Sequence, residues 1–247
     1  MTEIKFIGTS SGFAEKGRFH FQIYFKNKSG NVLFDAPDGG VHALLAADEK
    51  INEISAIVIS HFHPDHVSGL ASLLQQMKLT RRTAPLKIFV HEKTKRALFK
   101  LLALTYIFPD TFPFDFELVA FREKRATPIF ENFLFFAYEN AHVRDKYGKA
   151  SDEVEFVSSS FLFEIDGKKI AVTADVANGE EFFLFPVSRV DCFVAEWTHA
   201  EFSAFAKVVE RYKPEKLIIT HYHSEKIAAF EPRDKITLAK DGAVFKV

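Results

Sequence analysis

Short apolar runs and longer segments of helical periodicity alternate along the chain. The apolar runs are too short for helices and rich in β-branched and aromatic residues, so they predict buried strands. Strands are predicted at residues 4–8, 19–25, 32–35, 54–60, 86–91, 133–138, 157–165, 168–173, 193–196 and 216–220, and a short closing pair around residues 241–242. Helices are predicted at residues 41–48, 67–74, 92–103 and 200–212. Strands that lead into polar loops, with helices between them, occur in both halves and predict an α/β fold.

The segment His-Phe-His-Pro-Asp-His lies between the strand predicted to end at residue 60 and the helix predicted to begin at residue 67. In an extended segment, residues two apart project to the same side, so His61 and His63 are expected to form a pair. Pro64 is expected to bend the chain away, so that Asp65 and His66 form a second pair. Imidazole nitrogen and carboxylate oxygen suit zinc, manganese or iron. The motif therefore predicts a metal site in which each pair serves one metal.

Three further metal-compatible residues follow apolar strands. His142 is a candidate ligand, although a lone histidine in this position is more often an ordinary polar loop residue. Asp175 is a candidate bridging ligand, and its alternative role is to cap a helix N-terminus. His221 is favoured as a ligand over its neighbour His223 because it comes directly after its strand. These positions predict that the metal site draws on several strand ends.

Other residues near strand ends are candidates for supporting roles. Asp35 ends an apolar strand, and a buried aspartate there is expected to brace a loop or a metal-binding histidine. His199 is a candidate general acid because imidazole can carry a proton near neutral pH, and its alternative role is to cap the following helix. Glu196 is a candidate for orienting His199. The turn at residues 8–12 could present backbone amides to an anion or serve as a plain loop.

Composition narrows the class of protein. The chain has 247 residues, of which 47% are hydrophobic and 26% charged, and we expect a soluble, globular protein with a single domain over residues 1–247. The net charge of −1 provides no broad basic field for nucleic acid. We find neither a secretory signal pattern nor an apolar run of membrane-spanning length, which favours a cytoplasmic location and no membrane partner. The single cysteine, Cys192, lies in an apolar run and is expected to be a buried thiol.

Phenylalanine is unusually frequent in this chain. The 29 phenylalanines either fill the core in place of leucine or line a pocket, and sequence alone leaves both uses open. Residues 105–131 are rich in phenylalanine and proline and contain no recognisable catalytic motif. They are candidates for an apolar wall over the metal site.

The motif His-x-His-x-Asp-His, followed by a lone histidine, a lone aspartate and a final histidine, resembles the metallo-β-lactamase fold superfamily. Within that superfamily the sequence is most similar to the ribonuclease Z group. The similarity is carried by Phe-Ile-Gly-Thr-Ser-Ser-Gly at residues 6–12, Leu-Phe-Asp at 33–35 and Ala-Glu-Trp-Thr-His at 195–199. The resemblance implies a four-layer αββα sandwich of two mixed β-sheets.

The resemblance also implies a division of ligands between two divalent metal ions, with zinc expected and manganese or iron as alternatives. One metal would be held by His61, His63 and His142, the second by Asp65, His66 and His221, and Asp175 would bridge them. A hydroxide between the metals would attack the substrate, because metal binding lowers the pKa of water from ~15.7 to about 7. Asp65 and His199 are the expected catalytic residues.

Three functions compete for this site. The first is a phosphodiesterase that acts on RNA or on a small nucleotide diester, and the second is an acyl hydrolase for a thioester, lactone or lactam. The third is a metal-binding protein without catalysis, which the intact ligand set argues against. The short interval from His142 to Asp175 leaves no room for the long arm that grips tRNA in tRNA-processing members, and with the neutral charge this favours a small diester. Homodimers are common in the resembled group, so a homodimer is a further expectation.

Overall fold

The computed structural model describes residues 2–230 and 235–247. Its first-half strands are β1 (Glu3–Gly8), β2 (Gln22–Lys26), β3 (Asn31–Phe34), β4 (Ile54–Val58), β5 (Leu86–His91) and β6 (Phe116–Phe121). Its second-half strands are β7 (Thr127–Phe130), β8 (Phe133–Asn140), β9 (Ser158–Ile165), β10 (Lys168–Val172), β11 (Cys192–Glu196), β12 (Lys216–Thr220), β13 (Ile236–Leu238) and β14 (Val244–Lys246). The α-helices are α1 (Gly40–Ala46), α2 (Pro64–Val67), α3 (Leu70–Leu79), α4 (Lys95–Leu104), α5 (His142–Tyr147) and α6 (Ser203–Tyr212). Short 3₁₀ segments are Ile51–Glu53, Pro109–Thr111, Gly179–Phe183 and Ser224–Ala229.

The strands form two mixed, seven-stranded sheets with related topologies. The first has the order β14-β1-β2-β3-β4-β5-β6, and the second has the order β13-β12-β11-β10-β9-β8-β7. In the first sheet β3 to β6 are parallel and the β1, β2 and β14 side is antiparallel. In the second sheet β10 to β13 are parallel and β7 to β10 are antiparallel. The chain crosses from one sheet to the other between β6 and β7.

Most central strands are buried on both faces, which explains their nearly continuous apolar sequences. Within β3, Phe34 points between the two sheets, whereas Leu33 packs under α1 and α3. In the second sheet, Phe161 and Phe163 of β9 point between the sheets, and Leu162 packs on the outer side with α6. Three apolar clusters therefore separate four layers, helix, sheet, sheet and helix, as the resemblance implies.

The phenylalanines concentrate between the two sheets, where aromatic rings contact one another in edge-to-face, tilted and stacked arrangements. Phe163 lies at the centre of this group, with ring centroids 5.0 to 6.2 Å from five other rings, those of Phe25, Phe34, Phe133, Phe135 and Phe161. Cys192 is fully buried in the same cluster, and burial raises the pKa of its thiol to about 12. The expectation of a buried thiol is confirmed.

We expect Phe163→Ala to lower the free energy of unfolding by about 3–5 kcal/mol, because it removes a fully buried ring and leaves a cavity between the sheets. Urea denaturation followed by circular dichroism measures the change. The matched control is Phe99→Ala on α4, because Phe99 is exposed and its loss should change stability by about 0.5 kcal/mol or less. Equal effects of the two substitutions would contradict the assignment of Phe163 to the core.

Two predicted elements are arranged differently in the structure. The helix predicted at residues 67–74 is two helices, α2 and α3, separated at Ser68 and Gly69. A side chain at Gly69 would place its Cβ 1.8 Å from the carbonyl oxygen of Pro37, so only glycine allows this close approach. The closing strands β13 and β14 do not pair with each other. Instead, β13 joins β12 in the second sheet and β14 returns to β1 in the first.

Across the described parts of the chain, no helix combines the length and apolar character needed to cross a lipid bilayer.

Candidate metal centre

The candidate metal ligands lie just beyond the ends of four strands, all four of which lie inside their sheets. His61, His63, Asp65 and His66 come after β4, whereas His142, Asp175 and His221 follow β8, β10 and β12. An isolated bridge between His61 and Ser158 joins the β4 loop to the start of β9, and a second bridge joins Ser10 to Tyr222. The loops of both sheets therefore meet at one edge of the sandwich.

A helix begins inside the motif, at a position where the sequence pattern predicts none. Pro64 occupies the first position of α2, where its fixed φ angle and missing N–H are tolerated, and His63 is the preceding extended residue. Asp65 and His66 therefore lie within the first turn of this short helix rather than on a bend that precedes it. The proline still separates the two pairs of side chains, but it does so by starting a helix.

Left-handed backbone conformations occur at three strand ends around the site. Asp35, Ala174 and His221 have φ angles of 63°, 49° and 48°. Aspartate and histidine adopt this region more readily than most residues, whereas alanine pays a steric penalty there. Such strained residues tend to occur at functional sites, and here Ala174 immediately precedes Asp175.

The seven side chains form two groups of possible ligand atoms, and the atoms of each group are close enough together to bind one cation. In each group one nitrogen or oxygen atom from every residue lies within 4.8 Å of the others. The first group contains His61, His63, His142 and Asp175, and the second contains Asp65, His66, Asp175 and His221. The structure thus brings together all seven residues, in the same division that the resemblance implies.

The three imidazoles of the first group converge closely. The Nδ1 atom of His63 lies 3.0 Å from Nε2 of His61 and 3.2 Å from Nε2 of His142. A tetrahedral zinc site with metal–nitrogen bonds of about 2.0–2.1 Å has edges of about 3.3 Å. The observed separations are close to that value, so the first group fits a cation of this type.

In the second group, two histidines and two carboxylates face one another. The Nε2 atom of His221 lies 3.2 Å from Oδ1 of Asp175 and 3.4 Å from Oδ2 of Asp65. The Nε2 atom of His66 lies 3.3 Å from the same Oδ1 atom. The other oxygen of Asp175, Oδ2, lies 3.5 Å from Nε2 of His142 in the first group. Each carboxylate oxygen of Asp175 therefore faces a different group.

Four of the histidines use their outward nitrogen to donate a hydrogen bond, which fixes the ring and leaves Nε2 free to face the centre. Nδ1 of His66 donates to Oδ2 of Asp35 at 2.7 Å, and Nδ1 of His142 donates to the carbonyl of Val176 at 3.1 Å. Nδ1 of His61 lies 3.0 Å from Oγ of Ser60, and Nδ1 of His221 lies 3.2 Å from Oγ1 of Thr198. The Ser60 and Thr198 hydroxyls donate elsewhere, to Oδ2 of Asp35 and the carbonyl of His221, so they accept from the rings. This arrangement is characteristic of metal-binding histidines.

Charge at the centre also favours cation binding. Burial lowers the pKa of His61 well below its ordinary value and that of His142 to about 4, so both rings are neutral and able to coordinate. Burial opposes ionisation of Asp175, but the neighbouring His221 and His66 hold its pKa well below the usual range. Oδ1 of Asp175 and Nε2 of His66 are buried and make no hydrogen bond, although both point into the centre. A cation bound between them would satisfy both atoms.

Asp35 supports the second group from beneath, as the sequence predicts. It is fully buried, and it accepts hydrogen bonds from the backbone N–H and the hydroxyl of Ser60, both at 2.8 Å, and from His66. Because one carboxylate holds both the β4 loop and a histidine ring, its loss would release the ring from its orientation.

We expect Asp35→Asn to weaken binding of the second divalent cation by about 10- to 100-fold, because an amide is a poorer acceptor for the His66 ring. Competition with a chromogenic chelator measures each stepwise affinity. Asp38→Asn is the matched control, since Asp38 is an exposed aspartate three residues along the chain. Unchanged stepwise affinities in Asp35→Asn would show that the hydrogen bond does not support metal binding.

His199 and Glu196 form a supporting pair beside the centre. Glu196 is buried and accepts hydrogen bonds from the backbone amides of Thr198 and His199. One of its oxygens lies 3.3 Å from Nδ1 of His199, and the His199 ring centre is 4.6 Å from that of His142. Burial acts to lower the pKa of His199, but Glu196 outweighs it and raises that pKa. His199 is outside both ligand groups but borders them.

The ligand groups open into a cavity of about 350 Å³. It is lined by Ser11, Gly12, Phe13, His63, Pro64, Asp65, His142, Lys146, Tyr147, Asp175, Thr198, His199 and His221. Phe13, Lys146 and Tyr147 belong to no motif that marks them as site residues in the sequence. The spacing of Lys146 from His142 was a usable signal, because residues four apart lie on the same face of a helix.

Several other candidates lie away from the centre. His223 belongs to neither ligand group. Its ring contacts Phe13 edge to face, and its Nε2 lies 3.4 Å from Oε1 of Glu15. His91 is buried and paired with Glu123 at the end of β5, which agrees with a structural role. Residues 105–131 contribute none of the described residues that line the cavity, so the expectation of an apolar wall there is wrong. They supply β6 and β7, the edge strands of the two sheets.

Comparison with known proteins gives three kinds of match. The family model described as anti-Pycsar protein Apyc1 matches residues 2–245. Ribonuclease Z from Methanococcus aeolicus is 33% identical over 104 residues, which are 42% of this chain and 32% of that protein. The match thus spans about a third of the length of this curated relative. The similarity to ribonuclease Z that the sequence motifs indicate is confirmed.

Solved structures establish the fold. Human tRNase Z, short form, has a TM-score of 0.74 and 18% identity, with 99% of this chain and 98% of that chain covered. The metallo-β-lactamase fold protein YhfI from Bacillus subtilis has a TM-score of 0.76 and 16% identity, with the same coverage of 99% and 98%. The expectation of a metallo-β-lactamase fold, an α/β sandwich of two mixed sheets, is confirmed.

Proposed function

The chain belongs to the anti-Pycsar protein Apyc1 family, and we propose that it is a metal-dependent phosphodiesterase that hydrolyses a small nucleotide diester with two divalent cations. The observation that carries this proposal is the carboxylate of Asp175, whose two oxygens face two separate groups of ligand atoms. The partial similarity to ribonuclease Z supports phosphodiester chemistry, and RNA is the alternative substrate.

In this proposal each group of ligand atoms holds one cation, with zinc expected and manganese or iron as alternatives. His61, His63 and His142 hold the first, Asp65, His66 and His221 hold the second, and Asp175 joins them. When bound, two divalent cations supply a nucleophile at neutral pH and stabilise negative charge that develops at phosphorus.

Asp65 and His199 supply the proton chemistry in the proposed mechanism. Burial opposes ionisation of Asp65, but the neighbouring imidazoles of His221 and His66 keep its pKa far below the ordinary value. Asp65 therefore remains a carboxylate that can accept a hydrogen bond from the attacking water. The Nδ1–H group of His199 points to Glu196, which leaves Nε2 to donate a proton to the leaving-group oxygen.

The shape and charge of the protein favour a small diester over RNA. A cavity of about 350 Å³ is at the lower end of the range for small-molecule sites. Between His142 and Asp175 the chain forms α5, one connecting loop and the β9–β10 hairpin, so the interval contains no extended arm. The net charge of −1 provides no general attraction for a polyanion. The cytoplasmic location, the homodimer and the single-domain organisation remain predictions.

The decisive experiment compares three substrates with the metal-replete protein: bis-p-nitrophenyl phosphate, a thioester and a lactam. We expect turnover of the phosphodiester and neither of the others. Turnover of the thioester or the lactam alone would replace the proposal with an acyl hydrolase that uses the same centre. Absence of all three activities in a protein that holds two metals would point to a binding protein without catalysis.

A second experiment separates RNA from small diesters. The protein is titrated with structured RNA at 50 and 200 mM salt. Weak binding at both concentrations is expected, since phosphate contacts by many basic residues give strong, salt-sensitive affinity and the net charge here is near neutral. Tight binding that is lost at the higher salt would favour RNA as the substrate.

A further inference from the structure

Two aromatic side chains are exposed at the mouth of the cavity. Phe13 has 67% and Tyr147 has 39% of its surface exposed, although burying such rings normally stabilises a protein. Both rings line the same cavity as the candidate ligands. They reach it from opposite halves of the chain, Phe13 from the loop after β1 and Tyr147 from the end of α5. The exposure of both rings at the cavity mouth indicates that the cavity binds a ligand with a flat, apolar surface.

The backbone that carries Phe13 is anchored. The hydroxyl of Ser10 donates to the Phe13 carbonyl at 3.1 Å, and the Glu15 carboxylate accepts a hydrogen bond from the backbone N–H of Ser224 at 3.0 Å. The ring itself rests edge to face on His223, with 5.0 Å between centroids. The loop is thereby tied to the second sheet, and Phe13 is presented to the cavity on a fixed support.

The position of Tyr147 is coupled to the metal centre. It ends the helix that begins at His142, and its ring lies edge to face with the ring of His63, 5.6 Å between centroids. Lys146, which precedes Tyr147 in the sequence, also lines the cavity and supplies a positively charged side chain there. A flat, apolar group and a negative charge are both present in a nucleotide diester.

We propose that Phe13 and Tyr147 hold the nucleobase of a small nucleotide diester while its phosphate lies at the ligand groups, and that Lys146 attracts the charge of the diester. This inference rests on the proposed function and deepens it. Every base has an aromatic face, so stacking on side-chain rings binds bases with little sequence preference. The two rings thus favour nucleotide diesters over diesters that lack a base.

The test uses two substrates with the same leaving group, the p-nitrophenyl ester of thymidine 5′-monophosphate and methyl p-nitrophenyl phosphate. Only the first has a base. Phe13→Ala and Tyr147→Ala are each expected to raise KM for the thymidine ester by about 5- to 100-fold, with little change for the methyl ester. Lys146→Met should raise KM for both esters alike, because both have the same charge.

Two controls separate stacking from general damage. Tyr147→Phe keeps the ring, so its KM for the thymidine ester should lie well below that of Tyr147→Ala. Tyr106→Ala removes a ring that is 83% exposed and does not line the cavity, so it should leave KM for both esters unchanged.

The outcomes distinguish this inference from the proposed function. If the unaltered protein hydrolyses neither ester, the proposed function is wrong. If it hydrolyses both, and Phe13→Ala and Tyr147→Ala change both by the same factor or not at all, the base contact is wrong. If the variants impair only the cleavage of an RNA precursor, the rings serve an unpaired RNA base, and the small-nucleotide proposal is overturned.

Discussion

Asp175→Ala is expected to reduce kcat for phosphodiester hydrolysis by about 1,000-fold or more, the largest loss we expect from a single substitution. The reason is that one side chain serves both ligand groups, with Oδ1 facing His66 and His221 and Oδ2 facing His142. Without it, five imidazoles converge with Asp65 as the sole carboxylate among the six remaining candidate ligands. We therefore expect the bound metal to fall from two ions to one or none, as measured by plasma mass spectrometry on protein dialysed against metal-free buffer.

Two further variants make this prediction specific. Asp175→Asn retains the shape but removes the charge, and we expect it to lose most of the activity as well. Asp110→Ala removes an exposed aspartate far along the chain and should retain both metals and full activity. An Asp175→Ala protein that retained two metals and normal turnover would rule out the bridging role.

The second large effect is expected from His199→Ala, and it should depend on the leaving group. General acid catalysis contributes about 100- to 10,000-fold when an alkoxide must be protonated, so turnover of nucleoside diesters should fall by a factor in that range. The p-nitrophenolate ion leaves without a proton, so turnover of bis-p-nitrophenyl phosphate should fall much less. Measuring kcat over a series of leaving groups of increasing basicity tests this difference.

Metal content provides the control for this variant. His199 is outside both ligand groups, so His199→Ala should retain two metal ions. Glu196→Gln should show a weaker form of the same leaving-group dependence, because it alters the partner of Nδ1 while the ring remains. Equal losses for good and poor leaving groups would indicate that His199 positions the substrate or the metals and does not transfer a proton.

The candidate ligands could be found from sequence because each follows a strong apolar strand. Parallel strands such as β10, β11 and β12 bring their carboxyl ends to one edge of a sheet, so polar residues just beyond them become neighbours in space. That relation connects Asp175 and His221, which are distant in sequence. The same reasoning identified Asp35, whose buried carboxylate indeed holds His66.

Features that depend on contacts between distant segments could not be predicted in this way. The pattern around residues 241–242 indicates strands but carries no information about their partners, and β13 and β14 are in different sheets. Gly69 interrupts the predicted helix because of a close approach to Pro37, which is visible only in three dimensions. Phe13 and Tyr147 were missed because an aromatic residue in a polar loop gives no sign of the surface that it faces.

The ligand groups also have a consequence for the order of events in folding. His61 and His221 come from loops of different sheets and are far apart in sequence, so neither group of ligand atoms is complete until the two sheets have packed together. Contacts of such long sequence separation form late, after most loop-closure entropy has been paid. Divalent cations should therefore have little effect on the rate of refolding and should mainly slow the rate of unfolding, because interactions absent from the transition state stabilise only the native state.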